Sequence, residues 1–318
     1  MSQQKNLKQN CKNMKNKKLT VTIGIPAYNE EKNITHLLSS LLTQKETFYK
    51  IKSIFVISDA STDNTVGVVK KLGDRRIIVV QNSIRKGQIH AQNLIFTYAK
   101  TDVVIILEAD TIPDDKKYLH HLLSPIALDP SIGLVGGNSI PLLPQKLLGK
   151  IIYFQIQTYK EVDDDYAGPK YWHFSGRGGR AFTKAIYKNL DWPYDTQEDI
   201  YAILWCLKHK IKNTFARNAV CNYRVPETFR DFLRERQKIK SGRITLKEYF
   251  STEFLNYFYN RPISFKILSF TKYLISHPAY CLIYLFLKLR IAVNLSSSEF
   301  TDLWPITSST KTLYKYEK

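Results

Sequence analysis

Apolar positions in the first third of the chain recur with two alternating periods. Val21-Thr22-Ile23-Gly24-Ile25-Pro26 is a short β-branched run stopped by a proline, and it predicts a strand. After Ala27-Tyr28-Asn29-Glu30-Glu31 the spacing changes. Ile34, Leu37, Leu38, Leu41 and Leu42 lie three and four apart, the apolar stripe of a helix. Ile51 to Ile57 predicts a second strand ending at Ser58-Asp59. Ala60-Ser61-Thr62-Asp63-Asn64-Thr65 carries turn and N-cap chemistry before a helix over Val66 to Leu72. Ile77 to Val80 predicts a third strand leading into Arg85-Lys86-Gly87, and a helix over His90 to Lys100 follows. Val103 to Leu107 is too short for a helix and has no polar face, so it predicts a strand buried on both sides. Regular alternation of strand and helix predicts an α/β fold, a mostly parallel twisted sheet flanked by helices.

The later pattern is less regular. Gly133-Leu134-Val135-Gly136-Gly137 predicts another strand, near the glycine-rich loop Ser175-Gly176-Arg177-Gly178-Gly179-Arg180. A helix over Ile200 to Lys208 follows Gln197-Glu198-Asp199. Val225-Pro226-Glu227 opens a basic helix with Arg230, Arg234, Arg236, Lys238 and Lys240. No linker or fixed-period repeat demands a second compact domain. The expected organisation is a disordered basic arm over 1–18, an α/β domain over 19–245 and a C-terminal helical extension over 246–318, interfacial, membrane-inserted or neither.

Charge sharpens this picture. Among 318 residues the formal net charge is +19, which implies an anionic partner: a nucleotide, a nucleic acid or a lipid surface. Lys5, Lys8, Lys12, Lys15, Lys17 and Lys18 punctuate a segment of Asn and Gln that cannot form a core. No apolar stretch follows them, so a secretory signal peptide is not expected. Cys11, Cys206, Cys221 and Cys281 lack C-x-x-C spacing, which argues against zinc or a disulfide framework and fits a reducing compartment.

Candidate chemistry gathers at the expected strand ends. In a strand, residues i and i+2 face one side, so Glu108 and Asp110 are expected to face one ligand, unless they are simply solvated acids. Such a pair at the tip of a parallel strand suits a hard divalent cation that also holds phosphate oxygens. Asp59 is placed to accept from a base N–H, or else to cap the next helix. Lys86 beside Gly87 could approach a phosphate, or be a solvated loop lysine. Glu198 and Asp199 open a helix, whose dipole keeps an acid ionised.

The order Pro26-Ala27-Tyr28-Asn29-Glu30-Glu31, Ser58-Asp59-Ala60-Ser61-Thr62-Asp63, Lys86-Gly87 and Glu108-Ala109-Asp110 resembles the family 2 inverting glycosyltransferases, over roughly residues 20–245. The resemblance implies the GT-A nucleotide-diphospho-sugar transferase fold. It implies transfer of a sugar from a UDP-, GDP- or dTDP-sugar to an acceptor hydroxyl on a glycan or lipid-linked glycan, with Mg²⁺ or Mn²⁺ held at Asp110. It places Pro26, Ala27, Tyr28, Glu30 and Asp59 around base and ribose, and Lys86, Gly87 and Ala109 in the donor site. Glu108 replaces the usual first aspartate of the Asp-x-Asp motif. Asp199 of the Glu198-Asp199 pair is implied to be the general base, a role that inverting attack requires. Trp172, His173 and Gly176 to Gly179 are implied to line the acceptor side, although Trp172 could equally be core.

Arg234-Glu235-Arg236-Gln237-Lys238-Ile239 stands where processive relatives carry Gln-x-x-Arg-Trp, and it departs from that motif. Isoleucine offers no aromatic face, so single addition is expected, with Arg236 and Lys238 as diphosphate contacts. The apolar segment Tyr273 to Leu287, broken by Pro278 and bracketed by Lys272 and Lys288, is shorter than a span and suggests an interfacial or re-entrant hairpin, or a buried helix. Activity at the cytoplasmic face of a membrane is expected. The rivals are a nucleotidyltransferase, a non-catalytic member of the same fold and a nucleic-acid binder. The last lacks any recognition motif, so no nucleic-acid partner is expected.

Overall fold

The first strand, β1 (Leu19–Ala27), turns Val21, Ile23, Ile25 and Ala27 into a single apolar core. The chain then runs through α1 (Ile34–Leu42), β2 (Tyr49–Ser58), α2 (Thr65–Lys70), β3 (Ile77–Gln81), α3 (Gln88–Tyr98), β4 (Val103–Ile106) and β5 (Thr111–Pro113). It continues through α4 (Tyr118–Leu128), β6 (Ile132–Pro141), α5 (Leu147–Asp165), β7 (Arg180–Thr183), α6 (Lys184–Tyr187), α7 (Glu198–Lys208) and β8 (Lys212–Tyr223). Four helices follow: α8 (Phe229–Thr245), α9 (Thr252–Tyr259), α10 (Ile263–Ser276) and α11 (Pro278–Asn294). The computed structural model describes residues 18–165, 176–194, 196–294 and 308–312. The expected basic arm, apart from Lys18, lies outside them.

The eight strands form one sheet in the order β3-β2-β1-β4-β7-β6-β8-β5. Val103 and Ile105 of β4 enter the core under α1 and α4, while Val104 and Ile106 enter the core under α3 and α7. This two-sided burial is what the unbroken apolar run of β4 required. The sheet is mixed: four of its seven strand pairs are parallel, while β7 runs against both neighbours and β5 against β8. Strand–helix alternation in the first half carries no signal for β7, which enters between β4 and β6 from the glycine-rich turn.

Three boundaries differ from expectation for local reasons. β4 ends at Ile106, so Glu108-Ala109-Asp110 is a turn rather than a strand end, closed by the Thr111 N–H and hydroxyl on the Glu108 carbonyl at 3.2 and 2.8 Å. The basic helix begins at Phe229, because the Thr228 hydroxyl caps it by accepting from the Asp231 N–H at 3.2 Å. α7 begins at Glu198, which puts both Glu198 and Asp199 in its first turn.

The C-terminal helices do not stand apart from the domain. Tyr273 of α10 and Cys281 and Tyr284 of α11 share a third core with Ile151 and Ile152 of α5 and Phe232 of α8. The Tyr273 hydroxyl donates to the Ile151 carbonyl at 2.8 Å. The stretch from Tyr273 to Leu287 is divided at His277, with Pro278 as the first residue of α11, where its missing N–H costs nothing. No helix among the described residues is long and apolar enough to cross a membrane.

Candidate active site

The tips of β1 and β2 are locked to each other by short polar side chains. The Asn29 N–H donates to the Ser61 hydroxyl, and the Thr62 N–H returns a bond to the Asn29 side chain at 2.8 Å. Thr65 accepts from the Glu30 N–H at 2.8 Å, and Asp63 accepts from the N–H groups of Glu31 and Thr65. Asn29 and Ala60 both adopt left-handed backbone (φ 54° and 57°), a strained choice for alanine that these bonds hold in place. The polar half of the two motifs therefore builds the loops, and the residues between them face a cavity.

That cavity is walled by Pro26, Ala27, Tyr28, Glu30 and Asp59. Asp59 does not cap a helix; Asp63 does that. Its carboxylate accepts from Asn82 Nδ2 at 2.9 Å and from the backbone N–H groups of Lys86 and Gly87, both at 2.8 Å. Gly87 sits at φ 90°, where a side chain would be strained, so the glycine lets the loop present both N–H groups to one carboxylate. Lys86 thus meets Asp59 through its backbone, and it is Arg85 that reaches the cavity, its guanidinium 3.9 Å from the Tyr28 ring centroid.

Glu108, Ala109 and Asp110 form the floor. Loss of hydration, with the nearby charge of Asp110, pushes the Glu108 carboxyl up to about 7 despite Arg177 and Lys238. Burial likewise raises Glu30 to about 7; Lys311 opposes the shift and Asp110 adds to it. Asp110 lies close enough to Glu30 and to Glu108 for its charge to act on each of them. Among the described residues no group of three or more ligating side chains is arranged around one point. One or two carboxylates completed by phosphate oxygens is the usual arrangement for Mg²⁺, so Asp110, with Glu108 beside it, fits such an ion.

The opposite wall comes from elsewhere in the chain. Arg234, Glu235 and Lys238 project from α8, and Arg177 from the turn Gly176–Gly178. Arg177 lies 3.2 Å from Glu235 and 4.0 Å from Glu108, linking wall to floor. Burial works against the charge of Lys238, but Glu198, Glu108 and Asp199 outweigh it and raise its pKa. Lys238 lines the cavity; Glu198 and Asp199 do not, and they adjoin it through Lys238. Glu198 is buried, accepting from Gln88 Nε2 at 3.1 Å, with the buried Arg180 guanidinium 3.9 Å away. Asp199 is half-buried and its Oδ1 accepts from the Ile200 N–H at 2.8 Å.

Other expected residues are placed differently. Arg236 does not line the cavity; its guanidinium lies 5.0 Å from the Phe232 ring centroid. Gly176 begins the glycine turn, whose tightness has a packing cause. A Cβ on Gly178 would lie 2.0 Å from the Gly137 carbonyl oxygen, and the Tyr118 hydroxyl donates to the Gly178 carbonyl at 2.9 Å. Trp172 and His173 lie outside the described residues. Sequence reasoning passed over Arg85, Arg234 and Glu235 as cavity residues, and took in Arg177 only within the Gly176 to Gly179 stretch expected on the acceptor side. Their signal was visible only as basic residues beside glycine turns or on a basic helix. Thr310 and Lys311, which also line the cavity, carried no signal at all.

Residues 22–179 match the model of the family described as Glycosyl transferase family 2. A poly-beta-1,6-N-acetyl-D-glucosamine synthase of Staphylococcus aureus (strain COL) is 29% identical over 242 residues, covering 73% of this chain and 57% of that protein. The enzyme of the same name from Staphylococcus epidermidis is 26% identical over 246 residues, with the same coverage. The chain thus spans little more than half the length of the curated relatives it matches. A mannosyltransferase from Pyrobaculum calidifontis, solved in complex with GDP-Man and Mn²⁺, shares the fold. Its TM-score is 0.57 at 20% identity, over 90% of this chain and 78% of that one.

Proposed function

The chain belongs, through residues 22–179, to glycosyl transferase family 2, and from that premise we propose a metal-dependent, inverting transfer of one sugar from a nucleotide-sugar to an acceptor hydroxyl. One observation carries the reading. Tyr28, Glu30, Asp59, Glu108 and Asp110 wall a single cavity with Lys238, and Lys238 in turn lies in the field of Asp199. The donor's base and ribose lie against Pro26, Ala27, Tyr28 and Asp59, and its diphosphate lies toward Asp110 and Lys238. Mg²⁺ or Mn²⁺, when bound at Asp110, offsets the charge that gathers on the departing diphosphate.

Asp199 takes the proton from the acceptor hydroxyl while that oxygen bonds to the anomeric carbon from the face opposite the phosphate. The bond from the anomeric carbon to the phosphate oxygen breaks, and its electron pair leaves with the nucleoside diphosphate. Lys238 stays protonated between the two acids and the diphosphate. The donor is a UDP-, GDP- or dTDP-sugar. A thermal-shift panel of the three nucleoside diphosphates with Mn²⁺ tests the reading, since a ligand of the folded state raises the melting temperature. No shift with any of them overturns it.

Chain extension of a glycan is a second reading, favoured by the names of the curated relatives. Glu235 and Ile239, standing where glutamine and tryptophan hold a growing polymer in processive relatives, favour single addition. Mass spectrometry of the products distinguishes one added sugar from a ladder.

The acceptor is taken to be a glycan or a lipid-linked glycan, met at the cytoplasmic face of a membrane. Leu282, Phe286, Leu289 and Val293 of α11 are exposed at spacings of four, three and four, with Leu289 and Val293 68% and 76% exposed. Ile263, Ile267 and Phe270 repeat that stripe on α10. Lys266, Lys272, Lys288 and Arg290 on the same two helices suit anionic headgroups, and apolar stripes among lysines are how helices lie in an interface. Sedimentation with anionic vesicles tests this contact; protein left wholly in the supernatant overturns it.

A further inference from the structure

Residues Ser309 to Thr312 bring Thr310 and Lys311 to the cavity, far in sequence from everything else that lines it. Their backbone is tied to the start of α8. Asp231 Oδ2 accepts from the Ser309 N–H at 3.0 Å, and the Ser309 hydroxyl accepts from the Glu227 N–H at 3.2 Å. Arg224 Nη1 donates to the Thr312 carbonyl at 2.6 Å. Ser309 holds Asp231 below the usual carboxylate range in spite of burial. From this anchored strap Lys311 points the other way, into the cavity. Its ammonium donates to the Tyr28 carbonyl at 3.2 Å and forms an ion pair with Glu30. The strap therefore bridges the two walls, joining α8 to the tip of β1.

We propose that Lys311 is a donor-binding residue and that the strap Ser309–Thr312 is the wall that closes the nucleotide pocket. This rests on the reading of the cavity as a nucleotide-sugar site and adds a residue outside the matched family region. Thr310 and Lys311 both line the cavity. The Lys311 ammonium is the cation on Glu30, a carboxylate close enough to Asp110 to feel its charge, so it stands between the nucleoside end and the diphosphate end. The cavity must take a dianionic diphosphate, and a side-chain ammonium there gives a charge-assisted hydrogen bond. Finally, two hydrogen bonds to the strap's backbone and one to the Ser309 hydroxyl fix it, leaving only the flexible lysine stem to follow the ligand.

The test is calorimetric titration of the full chain with UDP and with GDP, each with Mn²⁺. Lys311→Ala is expected to weaken binding of whichever nucleotide the wild type takes by about tenfold, the scale of one hydrogen bond to a charged group. Lys311→Arg, which keeps the charge, is expected to stay within about threefold of wild type on the same scale. Ser309→Pro removes both the N–H and the hydroxyl that anchor the strap, and is expected to weaken binding as much as Lys311→Ala. Lys311→Arg keeps the cation on Glu30, so its ligand-free melting temperature is expected to match wild type. Lys311→Ala is expected to melt lower and is checked as folded by circular dichroism at the titration temperature, which separates a lost contact from a lost fold. Unchanged or tighter binding by Lys311→Ala overturns the inference and leaves the nucleotide-sugar reading standing. A wild type that binds neither nucleotide, nor dTDP, overturns that reading instead.

Discussion

The two walls of the cavity are built in opposite ways. The wall at the tips of β1 and β2 is local: Asn29, Ser61, Thr62, Asp63 and Thr65 lock two short loops, and the ligand-facing residues stand between them in the chain. The facing wall is assembled from Arg177, α8 and a strap beyond residue 308. Its order comes from ion pairs across long separations, such as Arg177 with Glu235 and Lys311 with Glu30. A wall made of backbone-to-side-chain hydrogen bonds is rigid and writes a recognisable string. A wall made of long charged side chains can adapt to an acceptor and leaves only a scatter of Arg, Lys and Glu.

The sharpest way to break this contrast is at the base. Asp199→Asn is expected to reduce turnover by about a hundredfold to ten-thousandfold, the range of general-base catalysis, with nucleotide affinity within about twofold of wild type. Loss of nucleotide binding in that variant would put Asp199 on the donor wall instead.

Asp59→Ala should come next. It strands the Asn82 amide and the Lys86 and Gly87 N–H groups, each costing about 1–3 kcal/mol if it stays buried. Donor KM is expected to rise steeply and the melting temperature to fall together, because on this wall one carboxylate serves both the loop and the ligand. A rise in KM with no change in melting would mean that the loop is held by other contacts.

On the adaptable wall a single change should do less. Glu235→Gln removes a charge 3.2 Å from Arg177 but keeps the side-chain length. The expected effect is a several-fold change in KM, about 1 kcal/mol, at nearly constant melting temperature, since the pair is partly accessible to water. A loss as large as that of Asp59→Ala would erase the distinction between the walls. The smallest effect on catalysis is expected from Phe286→Ser with Leu289→Ser on α11. Activity toward a small soluble acceptor should hold while sedimentation with anionic vesicles falls.

The same contrast explains what could be learned from the sequence. Strands β1 to β4 and helices α1 to α3 are legible because each apolar residue serves a core directly beside it, with a period of two or near 3.6. Glu30, Asp59, Glu108 and Asp110 are legible because parallel strands bring their ends to one edge. The detail at Glu108 was not: β4 stops at Ile106, and a turn rather than strand periodicity brings both carboxylates to the floor. The sequence offers Asp59 as a base contact or a cap; it does not show that both carboxylate oxygens also hold the Lys86-Gly87 loop. That bond joins residues 27 and 28 positions apart, which no local pattern announces. The antiparallel entry of β7 and the return of Lys311 to Glu30 are set by tertiary packing alone.

The claim at the centre is that the acids at the strand ends gather one divalent cation and the diphosphate of a nucleotide. Titration calorimetry of UDP and GDP against wild type and Asp110→Ala, each with and without Mn²⁺, measures it directly. The expected result is binding of one nucleotide by wild type only when Mn²⁺ is present, and little or none by Asp110→Ala under either condition. Equal heats for the two proteins, with or without the cation, would contradict it.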